Sequence, residues 1–204
     1  MIAEKQVPIG LYRARHGSKV SPDTQLTGCR VTLPPVIITA HVEPDDIEPF
    51  DRFREKHFPP ARNFLKAHIT VFHHLPGKRL EAVRERVSET MATRTSFFAA
   101  VSGLQHLGAG VAFKIDSPDL QELRADLVRR FGSWPGPQDL QKFRPHITIQ
   151  NKVSREKADR LFSELKATFE PRSIRITGID LWSYLGGPWR HESLLKLAER
   201  KCPR

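Results

Sequence analysis

Two histidines and two threonines stand in matched positions, as His68-Ile69-Thr70-Val71 and His146-Ile147-Thr148-Ile149. An imidazole with a pKa near ~6.5 is neutral or protonated within reach of pH 7. One ring of a pair can therefore take a proton from an attacking water while the other gives a proton to a leaving oxygen. A threonine hydroxyl beside each ring can donate to an oxygen on which charge builds. Two imidazoles on opposite sides of one phosphorus suit in-line displacement at a phosphate ester. The near-identity of the two segments leaves open which ring is the base. His-x-Thr alone is a weak signal. Requiring Ile in the middle and Val or Ile after it leaves well under ~0.01 matches expected by chance.

Such side chains need a strand to present them. In a strand, alternate residues share a face, so His68 and Thr70 point one way while Ile69 and Val71 point into the core. The second copy repeats this. Around the motifs, β-branched runs predict strands over 36–42, 64–72, 97–104, 111–116, 143–149, 174–182 and 190–197. Helices are predicted after Pro44, with Ile47, Phe50 and Phe53 inward, and over 78–93. A third follows Ser117-Pro118, an N-cap and a first-turn proline, and a fourth follows Ser154, with Ala158, Leu161, Phe162, Leu165 and Phe169 inward. The order strand-helix-strand-helix-strand thus occurs twice, over about 36–104 and 111–197. A duplicated unit of this kind predicts two lobes about a pseudo-two-fold axis, with equivalent strands facing each other across a cleft. Residues 1–33 carry no sustained period and read as a flexible or loosely docked extension, leaving 34–204 as a single bilobed domain.

Paired His-x-Thr strands in a duplicated chain resemble the two-histidine (2H) phosphoesterase superfamily, which includes the 2′-5′ RNA ligase and cyclic phosphodiesterase proteins. The resemblance covers 36–197 in element order and is sharpest at 66–76 and 143–152, where Pro145 precedes the second motif. It implies an α+β, bilobed fold with mainly antiparallel sheets. It also implies metal-independent hydrolysis of a 2′,3′-cyclic phosphate, at an RNA terminus or on a nucleotide, to a 2′-phosphate, without a cofactor. Run in reverse, with an RNA 5′-hydroxyl in place of water, the same groups would form a 2′-5′ bond. Many ligase-like members carry an Arg shortly after the second motif; here the stretch reads Gln150-Asn151-Lys152. Two other readings stand beside this one. One is a phosphodiesterase for a different ester, such as a 2′-5′ oligonucleotide or a 3′ RNA tail. The other is a non-catalytic RNA-binding module.

Further candidates surround the motifs. Strand parity puts His74 on the face of His68 and Arg144 on that of His146. Lys152 offers a point charge where the resemblance expects an Arg. Trp134, Trp182 and Tyr184 are candidate stacking surfaces for a base, while Trp189 reads as part of a turn. Parity groups Trp182 and Tyr184 with Asp180. His41, His68, His73, His74 and His146 supply enough imidazoles for zinc, but no His-Glu-x-x-His or Cys-x-x-Cys spacing supports a metal site.

The formal net charge is +10, which favours a polyanionic partner such as RNA or a phosphate ester. No apolar stretch approaches the ~20 residues of a membrane helix, and no secretory pattern opens the chain. With two cysteines near opposite ends, a disulfide framework is not expected. The expected protein is a cytoplasmic monomer.

Overall fold

The computed structural model describes residues 33–199. The expected extension lies outside the described residues, apart from Leu33. The chain runs β1 (Val36–Val42), α1 (Pro44–His57), β2 (Ile69–Leu75), α2 (Leu80–Met91), β3 (Phe97–His106), β4 (Val111–Asp116), α3 (Pro118–Phe131), β5 (His146–Gln150), α4 (Arg155–Thr168), β6 (Arg172–Tyr184) and β7 (Trp189–Lys196). The strand-helix-strand-helix-strand order occurs twice, with β7 added.

Local chemistry accounts for the helices. Ser117 Oγ accepts the Leu120 N–H at 3.2 Å, and Pro118 needs no donor in the first turn. Leu120, Leu123, Leu127 and Phe131 then form one buried face of α3. Gly132, at φ 60°, supplies the left-handed residue that ends it. Ser154 caps α4 in the same way, through Lys157. No side-chain cap opens α1; it starts on Pro44 with Asp45 and Asp46 in its first turn, and Asp46 also accepts the Arg175 N–H.

All the strand pairs are antiparallel, in the order β1-β2-β5-β4-β3-β6-β7 with a further pairing of β1 to β6. The pairs β1–β2, β2–β5, β5–β4, β4–β3, β3–β6 and β6–β1 are unchanged when the halves are exchanged, β1 for β4, β2 for β5 and β3 for β6. The duplication read from element order is therefore present in the hydrogen bonding. One expectation is corrected: β2 and β5 do not face each other across a gap. They are neighbours joined at Ile69 and Ile147.

Both motif strands are shorter than expected. The stretch 64–68 is irregular and β2 begins at Ile69; β5 begins at His146, not Phe143. Pro145 has no N–H for a ladder, although its carbonyl accepts from Ile115 N at 3.0 Å. Each motif histidine therefore stands at the mouth of its strand. Ile69, Val71, Ile147 and Ile149 are fully buried and anchor the strands in one hydrophobic core.

Candidate active site

The register through Ile69 and Ile147 sets His68 opposite Thr148 and Thr70 opposite His146. Each imidazole thus sits beside the threonine of the other half. All four side chains are half-buried on one face of the sheet, while the intervening residues are buried on the other. This alternation is what the motif predicts.

The two rings are held alike. His68 Nδ1 lies 2.7 Å from the Lys66 carbonyl, and His146 Nδ1 lies 2.9 Å from the Arg144 carbonyl. A carbonyl only accepts, so Nδ1 carries the hydrogen in both rings. That leaves Nε2 of each as the nitrogen for proton transfer, a lone pair when the ring is neutral and a donor when it is charged. The irregular backbone before each strand supplies the carbonyl two residues back.

The surroundings differ. Trp189 packs against His68, ring centroids 4.8 Å apart and planes at 52°. Burial pushes the His68 pKa down to about 4; the bond to Lys66 works against this, and the charges of Arg54, His146 and His73 add to it. His68 is therefore neutral at pH 7.

Arg54 of α1 is a buried charge near the motifs, only 5 % exposed. Its Nε donates to Asn63 Oδ1 and to the Leu65 carbonyl, each at 2.9 Å, and its Nη1 donates to the Thr148 carbonyl at 2.9 Å. One guanidinium thereby ties the approach to the first motif to the backbone of the second. No carboxylate pairs with it among the described residues, and burial lowers its pKa to about 10, so it stays charged. Nothing in the spacing of Arg54 signalled this role.

A cavity of 580 Å³ opens on the first-motif side, between β1, α1, β6 and β7. Of the four motif residues it takes in His68 alone. At its back, Asp180 is bridged by His41 Nδ1 and His191 Nε2, each at 2.7 Å. Trp182 forms part of the wall, its Nε1 donating to Thr39 Oγ1 at 2.9 Å. Sequence parity correctly grouped Trp182 with Asp180. Tyr184, by contrast, sits at the exposed end of β6 opposite Trp189 and does not line the cavity. Trp189, expected in a turn, is the first residue of β7.

Parity fails for His74. Extra residues on β2 separate the pairs Val36–Leu75, Ile38–Phe72 and Thr39–Thr70. Beyond Thr70 the alternation is lost: Val71 and Phe72 are both buried, and His73 and His74 both exposed. His73 is fixed by buried Asp139, which accepts its backbone N–H at 2.8 Å, its Nδ1–H at 2.9 Å and the His74 N–H at 3.1 Å. Burial alone would raise the Asp139 carboxyl, but these bonds prevail and hold it below the usual carboxylate range. Its neighbours in sequence gave no sign of this.

Trp134 belongs elsewhere. Phe131 stacks on it, centroids 5.6 Å apart at 16°, and the guanidinium of Arg86 lies 3.9 Å from its ring centroid. With both partners in place the indole is packing between α2 and α3, not an open stacking surface. Lys152 has φ 60° in the turn after Gln150, at the far end of β5 from His146. The cation that the register does place beside His146 is Lys114, its direct partner on β4 and exposed. Arg144 is exposed two residues before His146. Among the described residues no three His, Cys, Asp or Glu side chains gather to hold a metal ion, and no helix is long and apolar enough to cross a membrane.

Comparison with known proteins agrees with this fold. No curated protein sequence matches the chain. Solved structures do. E. coli LigT, crystallised with 3′-AMP, superposes with a TM-score of 0.55 at 17 % identity, over 82 % of this chain and 99 % of LigT. TT0787 of Thermus thermophilus superposes with a TM-score of 0.58 at 14 % identity, over 82 % of this chain and all of the other. At these identities the likeness is one of fold. The sequence model of the 2′-5′ RNA ligase superfamily matches residues 42–188, spanning both motifs and the strands that carry them. With that match, the exchangeable halves and the LigT-like fold, the chain belongs to the 2′-5′ RNA ligase superfamily, within the 2H phosphoesterases.

Proposed function

We propose that the protein is a metal-independent phosphodiesterase that opens 2′,3′-cyclic phosphates, on an RNA terminus or a nucleotide, to a 2′-phosphomonoester. The observation that carries this is the matched pair of rings. Each has Nδ1 bound to the carbonyl two residues back, each has Nε2 available, and each stands beside the other's threonine.

The environments divide the roles. His68, desolvated and neutral, accepts a proton from water at Nε2 as the water oxygen attacks phosphorus. The bond from phosphorus to O3′ breaks in line, and O3′ takes the proton from Nε2 of protonated His146. Thr70 and Thr148 donate to the non-bridging oxygens as charge grows on them. The products are a 2′-phosphomonoester and a free 3′-hydroxyl; a proton lost by His68 and one gained by His146 restore the start. That LigT has been crystallised with 3′-AMP supports a nucleotide-sized ligand for this fold.

The test is hydrolysis of an oligoribonucleotide ending in a 2′,3′-cyclic phosphate, in EDTA, by the parent protein and by His68→Ala and His146→Ala. Turnover that survives EDTA and is lost in both variants is the expected result, with the 2′-phosphate identified by chromatography. Turnover that appears only on adding metal, or RNA binding without turnover in the parent, overturns the assignment.

A further inference from the structure

The cleft has two unlike flanks, and the pairing register lays them out across the sheet. Beyond His68 lies the 580 Å³ cavity, whose lining includes the carboxylates of Asp45, Glu48, Asp51 and Asp180 against the single ammonium of Lys66. Beyond His146 lies β4, where Lys114 pairs directly with His146 and so shares its face. Directly opposed residues have Cβ atoms about 4.5–5.5 Å apart, well within the reach of a lysine. Neither Lys114 nor Arg144 has an ion-pair partner among the described residues.

A second phosphate next to the reacting one meets opposite fields on the two sides. Toward the cavity it would face the carboxylates of Asp45, Glu48, Asp51 and Asp180, and like charges repel. Toward β4 it would face a free ammonium. We infer that the cleft is directional: Lys114 binds the phosphodiester adjoining the reacting phosphate, so the substrate chain leaves over β4, on the side to which O3′ departs. This deepens the proposed function and rests on its placement of the reacting phosphate between His68 and His146. It makes an oligoribonucleotide end, rather than a lone nucleoside cyclic phosphate, the better substrate. It also identifies Lys114 as the residue that reads the difference.

The experiment compares two ligands of the full chain by calorimetry. One is cytidine 2′-monophosphate, with no 5′-phosphate; the other is the dinucleotide ApC bearing the same 2′-phosphate. The corresponding cyclic phosphates are assayed in parallel. The dinucleotide is expected to bind about tenfold tighter at low salt, with the preference fading as salt is raised. In Lys114→Ala the ratio falls to about one, and in Lys114→Arg it is kept. An unchanged ratio in Lys114→Ala, or equal affinities in the parent, overturns the inference. Because binding is read without turnover, directional binding in a protein that hydrolyses neither cyclic phosphate would uphold the subsite and sink the proposed reaction. Hydrolysis of both at equal efficiency, with equal affinities, would do the reverse.

Discussion

The two His-x-Thr segments hold their rings alike and differ in the side chains packed around them. Both histidines stand at a strand mouth with Nδ1 on the carbonyl two residues back. Around His68 are Trp189, the buried charge of Arg54 and a cavity with carboxylates in its walls. Around His146 are exposed cations, Lys114 and Arg144. Duplication provides two imidazoles held in matched geometry, and the neighbours of His68 lower the proton affinity of that ring. In a symmetric pair the roles of base and acid would depend on how the substrate happened to lie. In the proposed reaction, the burial of one ring decides.

The strongest way to break that asymmetry is to remove each ring in turn. His68→Ala and His146→Ala are each expected to lower kcat on a cyclic phosphate by about 10²–10⁴-fold. On that substrate alone they look equivalent. A phosphodiester with a nitrophenolate leaving group separates them, because that group departs without a proton. With it, His146→Ala recovers most of its loss and His68→Ala does not. Recovery in His68→Ala instead would reverse the assigned roles.

Arg54 links the two segments and should show the next largest effect. Arg54→Met strands the Leu65 and Thr148 carbonyls and removes a charge from the vicinity of His68. Leaving buried acceptors unpaired costs about 1–3 kcal/mol each, so the denaturation midpoint should fall measurably. Displacement of either motif should cost about 10–100-fold in kcat. Arg54→Lys keeps the charge and loses the three-way geometry. Activity restored by lysine would mean that charge matters more than position.

How much of this was legible in the sequence follows physical range. The strands, helices and duplication were legible because apolar periodicity and caps such as Ser117-Pro118 act locally. His68, Thr70, His146 and Thr148 were legible because two-residue parity holds over a motif of four. It failed six residues on, at His74, where β2 bulges. Lys114, Arg54 and Asp139 reach the motifs only through pairing and packing between residues distant in sequence, with Arg54 and Thr148 separated by 94 positions. His191 had no motif around it and His41 entered only among the imidazoles weighed for zinc; they meet at Asp180. Trp134 was the reverse case: its place in the loop before the second motif made it a candidate stacking surface, but Phe131 and Arg86 occupy it.

The proton affinity of His68 sharpens the comparison directly. Its folded pKa of about 4 lies below the ~6.5 of an unfolded chain. Between those values the unfolded state binds more protons, so this group's contribution to stability is complete above ~6.5 and falls as pH drops toward about 4. The base also remains neutral across that range. The acid limb of kcat/KM set by His68 should therefore lie near pH 4, and the carbon resonance of its ring should titrate with the same midpoint. A midpoint at the ordinary histidine value would remove the basis for calling His68 the base.

The two indoles give the smallest effects and a clean contrast. Trp189→Leu opens His68 to water, so its acid limb should move up toward ~6.5, with the loss concentrated at low pH. Trp134→Leu removes an indole held between Phe131 and Arg86, away from both motifs. It should lower the unfolding midpoint and leave both kcat/KM and the acid limb within about twofold of the parent. A thermal melt and a pH profile on the two variants separate the cases. If Trp134→Leu shifted the limb as Trp189→Leu does, the depression of His68 would belong to the fold as a whole and not to the ring packed against it.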